Sequence, residues 1–443
     1  MAKANNRRKM GLWVCTSLVM GNMIGSGVFL LPSSLAQYGG VGLMSWLLTA
    51  GGATVLALLF ARLARLLPKV GGPYAYSREG HGSLLGFTAG WGYWISIWAG
   101  NAAIAVAMVG YLGFFFPLIG ERPAIGAAIA IVTVWALAAV NIAGVRKAGL
   151  LQLVTTILKL LPLLAIGLFG LFYMEPDHLT PFVPEGQEPL SAFSASCALT
   201  LWAFLGLESA TIPADDVDQP QKTIPRATVL GVLIAAFIYI LSTVSIMGVL
   251  PASVLAASSA PFADAATAMW GSLAGKAVAI GAVISTFGAL NGWMMMGGQL
   301  PFALAQDALL PPAFSKVSKS GSPYVGILFT ALMVTLLLIM SFNKSLVKQF
   351  ELVILLSTLA CLVPYLLCSC SEFLMRWKYP NRYPGALGKT GLVLSIVGVI
   401  YVIWAIIGTG GKTIFLGLLL LLAGIPLYYL SSMWRKQSLE DPS

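Results

Sequence analysis

The stretch GNMIGSGVFLLP, from Gly21 to Pro32, interrupts an apolar run that begins near Met10 and ends near Ala36. Three glycines, an asparagine, a serine and a proline lie where the composition otherwise indicates a membrane helix. Irregular backbone at membrane depth is tolerated where protein or a water-filled cavity satisfies its freed polar groups. The stretch therefore predicts a broken helix that lines a cavity.

The composition of the chain indicates an integral membrane protein. Of its 443 residues, 58% are hydrophobic and only 9% are charged, and the mean hydropathy is +0.87. A water-soluble core cannot bury that much apolar surface. Runs of roughly 20 apolar residues, the length that crosses a bilayer, recur about a dozen times, and the predicted spans are 11–36, 41–66, 83–115, 123–143, 150–173, 191–213, 227–250, 275–305, 325–343, 350–371, 388–408 and 413–433.

The distribution of lysine and arginine predicts the orientation of these spans, because positively charged loops stay in the cytoplasm. With the N-terminus inside, the inner segments hold 20 of these residues and the outer segments hold 5. Both termini are therefore expected in the cytoplasm, and the chain in the inner (plasma) membrane. The net charge of +10 needs no nucleic acid to explain it. The first apolar run is too long for a signal peptide and has no small-residue cleavage site.

Several classes of chemistry find no support in the sequence. The two histidines, His81 and His178, are far apart, and no phosphate-binding or dinucleotide glycine motif is present. We therefore predict no metal site, no cofactor and no enzymatic activity. The cysteines show no metal-ligand spacing and are expected to be small buried apolar residues: Cys15, Cys197, Cys361, Cys368 and Cys370.

A second interruption indicates that the chain is an internal repeat. The sixth span reads TLWAFLGLESATIPADD from Thr200 to Asp216, with Gly206 and Pro213 inside apolar sequence. Because five spans separate the two interruptions, the second half begins on the opposite side of the membrane and must be inverted. Interrupted segments at matching positions of two halves point to a transporter binding site at the midplane.

The expected fold is all-α, with about 12 transmembrane helices in a five-plus-five inverted repeat whose helices 1 and 6 are broken. Two further helices follow the repeat. The predicted divisions are a cytoplasmic N-terminus at 1–10, the first repeat at 11–173, the second at 191–371, helices 11 and 12 at 388–433, and a cytoplasmic C-terminus at 434–443.

Two broken helices suit a ligand that carries both charges. Near Gly25-Ser26-Gly27, backbone amides and a half-helix N-terminus can face a carboxylate, while freed carbonyls can accept bonds from an ammonium group. An amino acid meets both requirements. Glycines in membrane helices also serve close packing, and this alternative is weaker for two interruptions at corresponding positions than for one.

The sequence motifs resemble the amino acid, polyamine and organocation transporter superfamily, whose fold is LeuT-like. Besides the two interruptions, the resemblance rests on GGPYAY after the second span, YWISIWAGNAAI in the third and LVPYL in the tenth. The likeness is strongest to the basic amino acid/polyamine antiporters, particularly the arginine/agmatine exchangers, and covers nearly the whole chain. Exchangers of this type are often dimers, so a homodimer is an expectation, beside the lipid bilayer and small amino acid or amine substrates as partners.

The resemblance implies roles for particular residues. The α-carboxylate of a substrate would bind Ser26 and the backbone of Gly27, and its cationic side chain would lie on Trp293. The carbonyls of Met23, Trp202 and Leu205 would accept hydrogen bonds from the α-ammonium. Asn101 and Ser357 would contact the far end of the substrate side chain. Trp202 would also form the outer lid, and the inner gate would consist of Tyr93, Glu208 and Tyr365.

Physical arguments support some of these roles independently. A tryptophan face attracts a guanidinium or ammonium by about 0.5–2 kcal/mol, although most tryptophans serve packing or the interfacial belt. Charge at membrane depth costs at least roughly 2.5–3.5 kcal/mol, so Glu208 and Lys159 are functional candidates. The basic exchangers have a small or apolar residue where this chain has Lys159, whereas proton-coupled amino acid permeases and the light chains of heteromeric exchangers have lysine. Lys159 is therefore a candidate for proton coupling or for a permanent substitute of a bound ion.

The sequence thus predicts a secondary amino acid transporter working by alternating access. The preferred activity is antiport of a cationic amino acid (arginine, lysine or ornithine) against its decarboxylated amine or another amino acid. The alternative is a proton-coupled permease of neutral or broad-range amino acids that uses Lys159. A hypothesis of another class is a sensor that binds amino acids on the same fold without transporting them.

Overall fold

The computed structural model describes residues 10–69, 71–144, 158–211, 217–341, 344–383 and 388–431. These residues form an all-helical protein without β-strands, apart from one isolated bridge between Met10 and Val217. The predicted terminal segments lie almost entirely outside the described residues, as do Pro213, Asp215 and Asp216 of the second interruption.

The described helices follow one another with short connections. In chain order they are α1 (Leu12–Met23), α2 (Ser26–Ala36), α3 (Gly40–Leu66), α4 (Pro73–His81), α5 (Ser83–Gly113), α6 (Leu118–Glu121), α7 (Pro123–Ala143), α8 (Leu158–Tyr173), α9 (Pro189–Trp202), α10 (Pro220–Val249), α11 (Ala252–Ala257), α12 (Pro261–Trp270), α13 (Ser272–Gln306), α14 (Tyr324–Ser341), α15 (Leu346–Lys378), α16 (Lys389–Gly408) and α17 (Gly411–Ala423).

Ten helical segments of the described chain are long and apolar enough to cross a membrane, counting α1 with α2 as one. They coincide with ten of the twelve predicted spans, so the all-helical membrane architecture is confirmed. The fifth and sixth predicted spans contain the shorter helices α8 and α9. The segments next to them, 145–157 and 212–216, lie outside the described residues.

Two helices extend well beyond their predicted spans. Helix α10 begins at Pro220 rather than 227, and α15 runs to Lys378 rather than 371. Hydropathy marks only the part of a helix that lies in hydrocarbon, whereas helical hydrogen bonding continues through polar residues outside it. The additional turns contain Lys222, Arg226 and Arg376. Proline at the first helical position of α10 needs no intrahelical bond from its nitrogen.

Helix α5 is the centre of the molecule. In its most apolar stretch 94% of the residues are buried, against 17% for the segment that contains α17. Helix α5 packs against α13 and α15, and α13 also contacts α7 and α14. A second group joins α1, α3, α9 and α10. The candidate functional residues lie between these two groups, whereas the apolar faces of α16 and α17 are largely exposed, as expected of helices that face lipid.

Candidate functional site

The first helix breaks at Ile24 and Gly25. Ile24 adopts φ −77° and ψ 83°, and Gly25 adopts φ −126° and ψ −134°, so both residues leave helical geometry. Helix α2 then starts at Ser26. The break thus comprises Ile24 and Gly25, while Ser26 and Gly27 are already helical. The first N–H groups of a helix have no intrahelical acceptor. Ser26 and Gly27 therefore still present backbone donors at the break.

Side chains from other helices satisfy the carbonyls that this break frees. Lys159 Nζ on α8 donates to the carbonyl oxygens of Gly21 at 2.5 Å and Ile24 at 2.7 Å, and its side chain is 1% exposed. Trp293 Nε1 on α13 donates to the carbonyl of Asn22 at 3.2 Å. A buried carbonyl without a partner is costly, so these bonds stabilise the broken conformation.

The sixth span breaks directly after Trp202. Helix α9 ends there, turns occupy 203–208, and a short 3-10 turn follows at Ser209–Thr211. Gly206 has φ +98°, a conformation that favours glycine. The Tyr239 hydroxyl on α10 donates to the freed carbonyl of Ala203 at 3.0 Å.

The two breaks meet around one small pocket. Its volume is only about 10 Å³, far below the ~300–1,000 Å³ typical of small-molecule sites. A bound ligand therefore requires its lining side chains to move. The lining residues are Asn22, Met23, Gly25, Ser26, Gly27, Ile104, Trp202, Leu205 and Trp293.

Two predicted binding residues have buried polar groups without a partner. The Ser26 hydroxyl is buried and unbonded, and so are both amide atoms of Asn101, which lies one helical turn from the lining residue Ile104. An unpaired buried polar group costs roughly 1–3 kcal/mol. These atoms are therefore candidates to bond a ligand or ordered water.

Tryptophan side chains cover the cavity from two helices. A Cβ atom on Gly100 of α5 would lie 2.7 Å from Cη2 of Trp202, and one on Gly27 would lie 3.2 Å from its Cδ1. The indole of Trp202 is thus wedged between α5 and α2. A Cβ atom on Gly206 would lie 3.2 Å from Cζ2 of Trp293, so Trp293 packs on the second break.

Ser357 has its hydroxyl engaged within the protein. It donates to the carbonyl of Ser96 at 2.7 Å and lies 3.0 Å from the Ser96 hydroxyl. The predicted ammonium acceptors are also partly engaged: the Met23 carbonyl accepts from Gly25 N at 2.9 Å, and the Trp202 carbonyl from Leu205 N at 3.1 Å. A carbonyl oxygen has two lone pairs, so each can accept one more bond.

The predicted gate residues are in contact below the cavity. Glu208 is fully buried, and its two carboxylate oxygens accept hydrogen bonds from the hydroxyls of Tyr93 on α5 and Tyr365 on α15. Thr211 donates to the Glu208 carbonyl at 2.6 Å. These bonds tie the turn after the second break to α5 and α15.

Comparisons with known proteins identify the family. The amino acid permease family model matches residues 10–427. The putrescine transporter PotE of Haemophilus influenzae is 34% identical over 428 residues, covering 96% of this chain and 97% of the relative. A putative arginine/ornithine antiporter of Bacillus subtilis is 32% identical over 471 residues (97% and 98%), and the cadaverine/lysine antiporter of Escherichia coli K12 is 32% identical over 444 residues (98% and 97%).

The chain belongs to the amino acid permease family. The resemblance inferred from the sequence motifs is thereby confirmed, and the chain is a multi-pass membrane protein of a family of transporters rather than enzymes. In the described residues of this permease, no group of three or more metal-ligating side chains comes together.

Three residues of the site were missed by the sequence reasoning. Ser96 pairs with Ser357, Gly100 accommodates the Trp202 indole, and Tyr239 bonds the second break. Ser96 and Gly100 lie four residues apart in the quoted YWISIWAGNAAI motif, so they share one face of α5, and this spacing is a usable signal. Tyr239 lies in an ordinary apolar run, and nothing in its sequence context distinguishes it.

A polar cluster lies at the end of the permease that carries the predicted inner loops. Asp307, after α13, accepts a hydrogen bond from the Tyr74 hydroxyl of α4 at 2.6 Å and pairs with Arg78 of α4 at 2.6 Å. Burial by itself raises the pKa of the Asp307 carboxyl, but the bonds from Tyr74 and Arg78 outweigh burial and lower that pKa below its usual value. The cluster fixes α4 to the end of α13.

Proposed function

We propose that this permease is an antiporter that exchanges a cationic amino acid for its decarboxylated amine or for another amino acid by alternating access. The observation that carries the proposal is the small pocket between the two breaks, with the unbonded Ser26 hydroxyl at one helix N-terminus and two tryptophans in its lining. Three similar transporters carry the names of putrescine, cadaverine/lysine and arginine/ornithine as their substrates.

Within this proposal, the charges of the substrate match the ends of the broken helices. The N–H groups of Ser26 and Gly27 and the Ser26 hydroxyl bind the α-carboxylate. Carbonyls at the two breaks, at Met23, Trp202 and Leu205, accept the α-ammonium.

The substrate side chain lies against Trp293, and Asn101 bonds its far end. Because the Ser357 hydroxyl already bonds Ser96, Ser357 contributes one remaining lone pair rather than a free donor. Trp202 acts as the outer lid, and Tyr93, Glu208 and Tyr365 act as the inner gate that opens when the substrate leaves.

We infer that the permease is a five-plus-five inverted repeat in the inner membrane with cytoplasmic termini. The helix groups support this inference, because spans 1, 2, 6 and 7 pack together, as do spans 3, 4, 8 and 9. These are the corresponding positions of two five-helix halves.

Counterflow in proteoliposomes tests the antiport. Purified protein is reconstituted with an excess of unlabelled arginine, lysine or ornithine inside, and entry of the labelled compound is followed. An antiporter accumulates label only when the vesicles are loaded, and empty vesicles and protein-free liposomes serve as controls. An amino acid sensor gives no flux under any loading, which would refute the proposal.

Proton-coupled uptake is the second candidate, favoured by the placement of Lys159 at the first break. If this lysine exchanges a proton during transport, an imposed inward proton gradient drives uptake into vesicles without internal substrate, and Lys159→Ala loses the pH dependence. If the ammonium stays charged, neither protein shows proton-driven uptake. That result would leave antiport as the one remaining candidate function.

A further inference from the structure

Lys159 is a buried lysine whose side chain has no ionic partner in the described part of the chain. Three charged side chains there are almost fully buried: Lys159, Glu208 and Glu372. Glu372 pairs with Arg62, whose Nη2 and Nε atoms lie 2.5 and 2.9 Å from its two carboxylate oxygens. Glu208 accepts hydrogen bonds from two tyrosine hydroxyls. The ion pairs of the described residues do not include Lys159. Buried charges are usually paired with an opposite charge, and the described residues provide no such anion for Lys159.

The position of the ammonium suggests where that anion comes from. Its two acceptors, the carbonyls of Gly21 and Ile24, lie at the C-terminal end of α1, whose dipole favours a positive charge. Ile24 is followed directly by Gly25 and by Ser26, the first residue of α2. Three residues of chain span at most about 10 Å, so the cation and the start of α2 are close neighbours.

The opposite side of the same break also presents positive potential. Helix α2 directs its N-terminal end, with the unbonded N–H groups of its first turn, at the cavity. The Ser26 hydroxyl there is buried without a partner. The helix end and Lys159 therefore both favour negative charge in the cavity, and the described lining residues carry no acidic side chain to supply it.

We propose that the α-carboxylate of the substrate is the missing partner of Lys159, and that the site therefore takes α-amino acids in both directions and discriminates against their decarboxylated amines. This inference rests on the proposed transport function and narrows it to exchange of one amino acid for another. A decarboxylated amine brings two positive charges and no carboxylate, so it leaves Lys159 unpaired and is repelled by it. Two unit charges about 10 Å apart at an effective dielectric constant of about 20 change affinity by about tenfold.

Matched pairs of compounds isolate the contribution of the carboxylate. Lysine and cadaverine, ornithine and putrescine, and arginine and agmatine differ only in that group, so the ratio of inhibition constants within a pair does not depend on which side chain the site prefers. In competition against labelled exchange at pH 7, the wild type should favour the amino acid of the best pair by about tenfold or more.

Removal of the charge should abolish this preference. Lys159→Met keeps a side chain of similar length without the charge. In this variant the ratio of the inhibition constant of the amine to that of the amino acid should fall by about tenfold. Lys159→Arg should retain the preference. Lys412→Met, at an exposed lysine of α17, is the matched control and should behave as wild type.

Each result bears on a separate claim. A wild-type ratio near one overturns the carboxylate proposal without any variant, and so does an unchanged ratio in folded Lys159→Met. Absence of exchange with all six compounds refutes the transport function instead.

Discussion

Ser26 and Gly27 combine a free hydroxyl with a missing side chain at the start of α2. A Cβ atom on Gly27 would lie 3.1 Å from both Cα and Cβ of Ala203, so the glycine lets the two breaks approach each other. In the proposed site, the Ser26 hydroxyl and the amide of Asn101 are buried without hydrogen-bond partners. Such a site distinguishes ligands by the bonds they can complete.

The close approach at Gly27 can be tested by substitution. We expect Gly27→Val to lower substrate affinity by at least about tenfold, because overpacking of roughly 1–3 kcal/mol must displace α9 or narrow the cavity. The measurement is calorimetric binding to folded protein in detergent. Gly51→Val is the matched control, since nothing lies within 4 Å of a Cβ atom there. Unchanged affinity in Gly27→Val would refute the placement of the carboxylate.

The face of Trp293 can be tested by comparing charged and neutral ligands. Trp293→Leu should weaken the binding of arginine or lysine by about 2- to 30-fold more than the binding of alanine. This difference corresponds to a cation–π interaction of about 0.5–2 kcal/mol. Trp293→Phe keeps a ring but loses the bond to Asn22, and Trp135→Leu on α7 controls for loss of a tryptophan elsewhere. Equal losses for all ligands would favour a neutral-substrate permease.

At the level of whole elements, the two broken helices are maintained by side chains from their neighbours. Lys159 and Trp293 bond the carbonyls of the first break, and Tyr239 bonds that of the second. Tyr239 also packs its ring on Phe204, with centroids 5.5 Å apart. The breaks are therefore a property of the packed bundle rather than of the interrupted segments alone.

The bond from Tyr239 should stabilise the second break. In Tyr239→Phe the ring remains but the Ala203 carbonyl loses its partner, at a cost of about 1–3 kcal/mol. We expect the affinity for substrate to fall by at least about fivefold, since the carbonyls at the break lose their fixed orientation. Tyr401→Phe, at a buried tyrosine of the peripheral α16, should leave affinity unchanged. Equal affinity of Tyr239→Phe and wild type would contradict this role.

At the scale of the whole molecule, contacts between separate segments join the helices at both ends. At the predicted outer end, Val41 N donates to the carbonyl of Phe182 at 3.0 Å, and Gln37 Nε2 donates to Glu351 at 3.0 Å. At the other end, α4 is fixed to α13 through Asp307 and to the segment after α15 through Glu79 and Arg382, 3.0 Å apart. In the proposed transport cycle, release of substrate on that side requires these contacts to open.

The Asp307 cluster should make this end sensitive to acid. The pKa of Asp307 is lowered while the cluster is intact. The ionised carboxylate therefore stabilises the contact between α4 and α13 fully at pH values above its ordinary pKa of about 3.9. This stabilisation is lost as the pH falls through the lowered pKa. Asp307→Asn should increase hydrogen–deuterium exchange in α4 severalfold at pH 7. After correction for intrinsic exchange, the variant should also lose the extra acceleration that acid causes in the wild type.

Asp218→Asn is the control for this experiment, since Asp218 lies at the same end of the molecule and its carboxylate makes no ion pair among the described residues. Exchange in α4 that is the same in Asp307→Asn, Asp218→Asn and wild type would rule out a stabilising role for the cluster.

The sequence by itself determined the membrane class, ten of the twelve spans, eight of them within a few residues at both ends, and both helix breaks. These features are local: hydropathy over about 20 residues marks a span, and a glycine such as Gly25 or Gly206 marks a break within its own segment. The same locality explains the errors at α10 and α15, where the helix continues past the apolar run. The motif resemblance also gave the candidate site residues, although their roles stay predictions.

The resemblance grouped Tyr93, Glu208 and Tyr365 as a gate, but only the tertiary structure decided which polar atoms bond each other. Lys159 bonds carbonyls 138 and 135 residues away, Ser357 bonds Ser96 across 261 residues, and Glu208 lies between Tyr93 and Tyr365. Such pairings depend on how α5, α13 and α15 pack around the breaks, and a single sequence records no signal of a contact between distant segments. The tertiary structure also decided that Ser26 and Asn101 stay unbonded while Ser357 does not. The reason is that hydrogen bonds between buried groups depend on distances of a few tenths of an ångström, which packing sets.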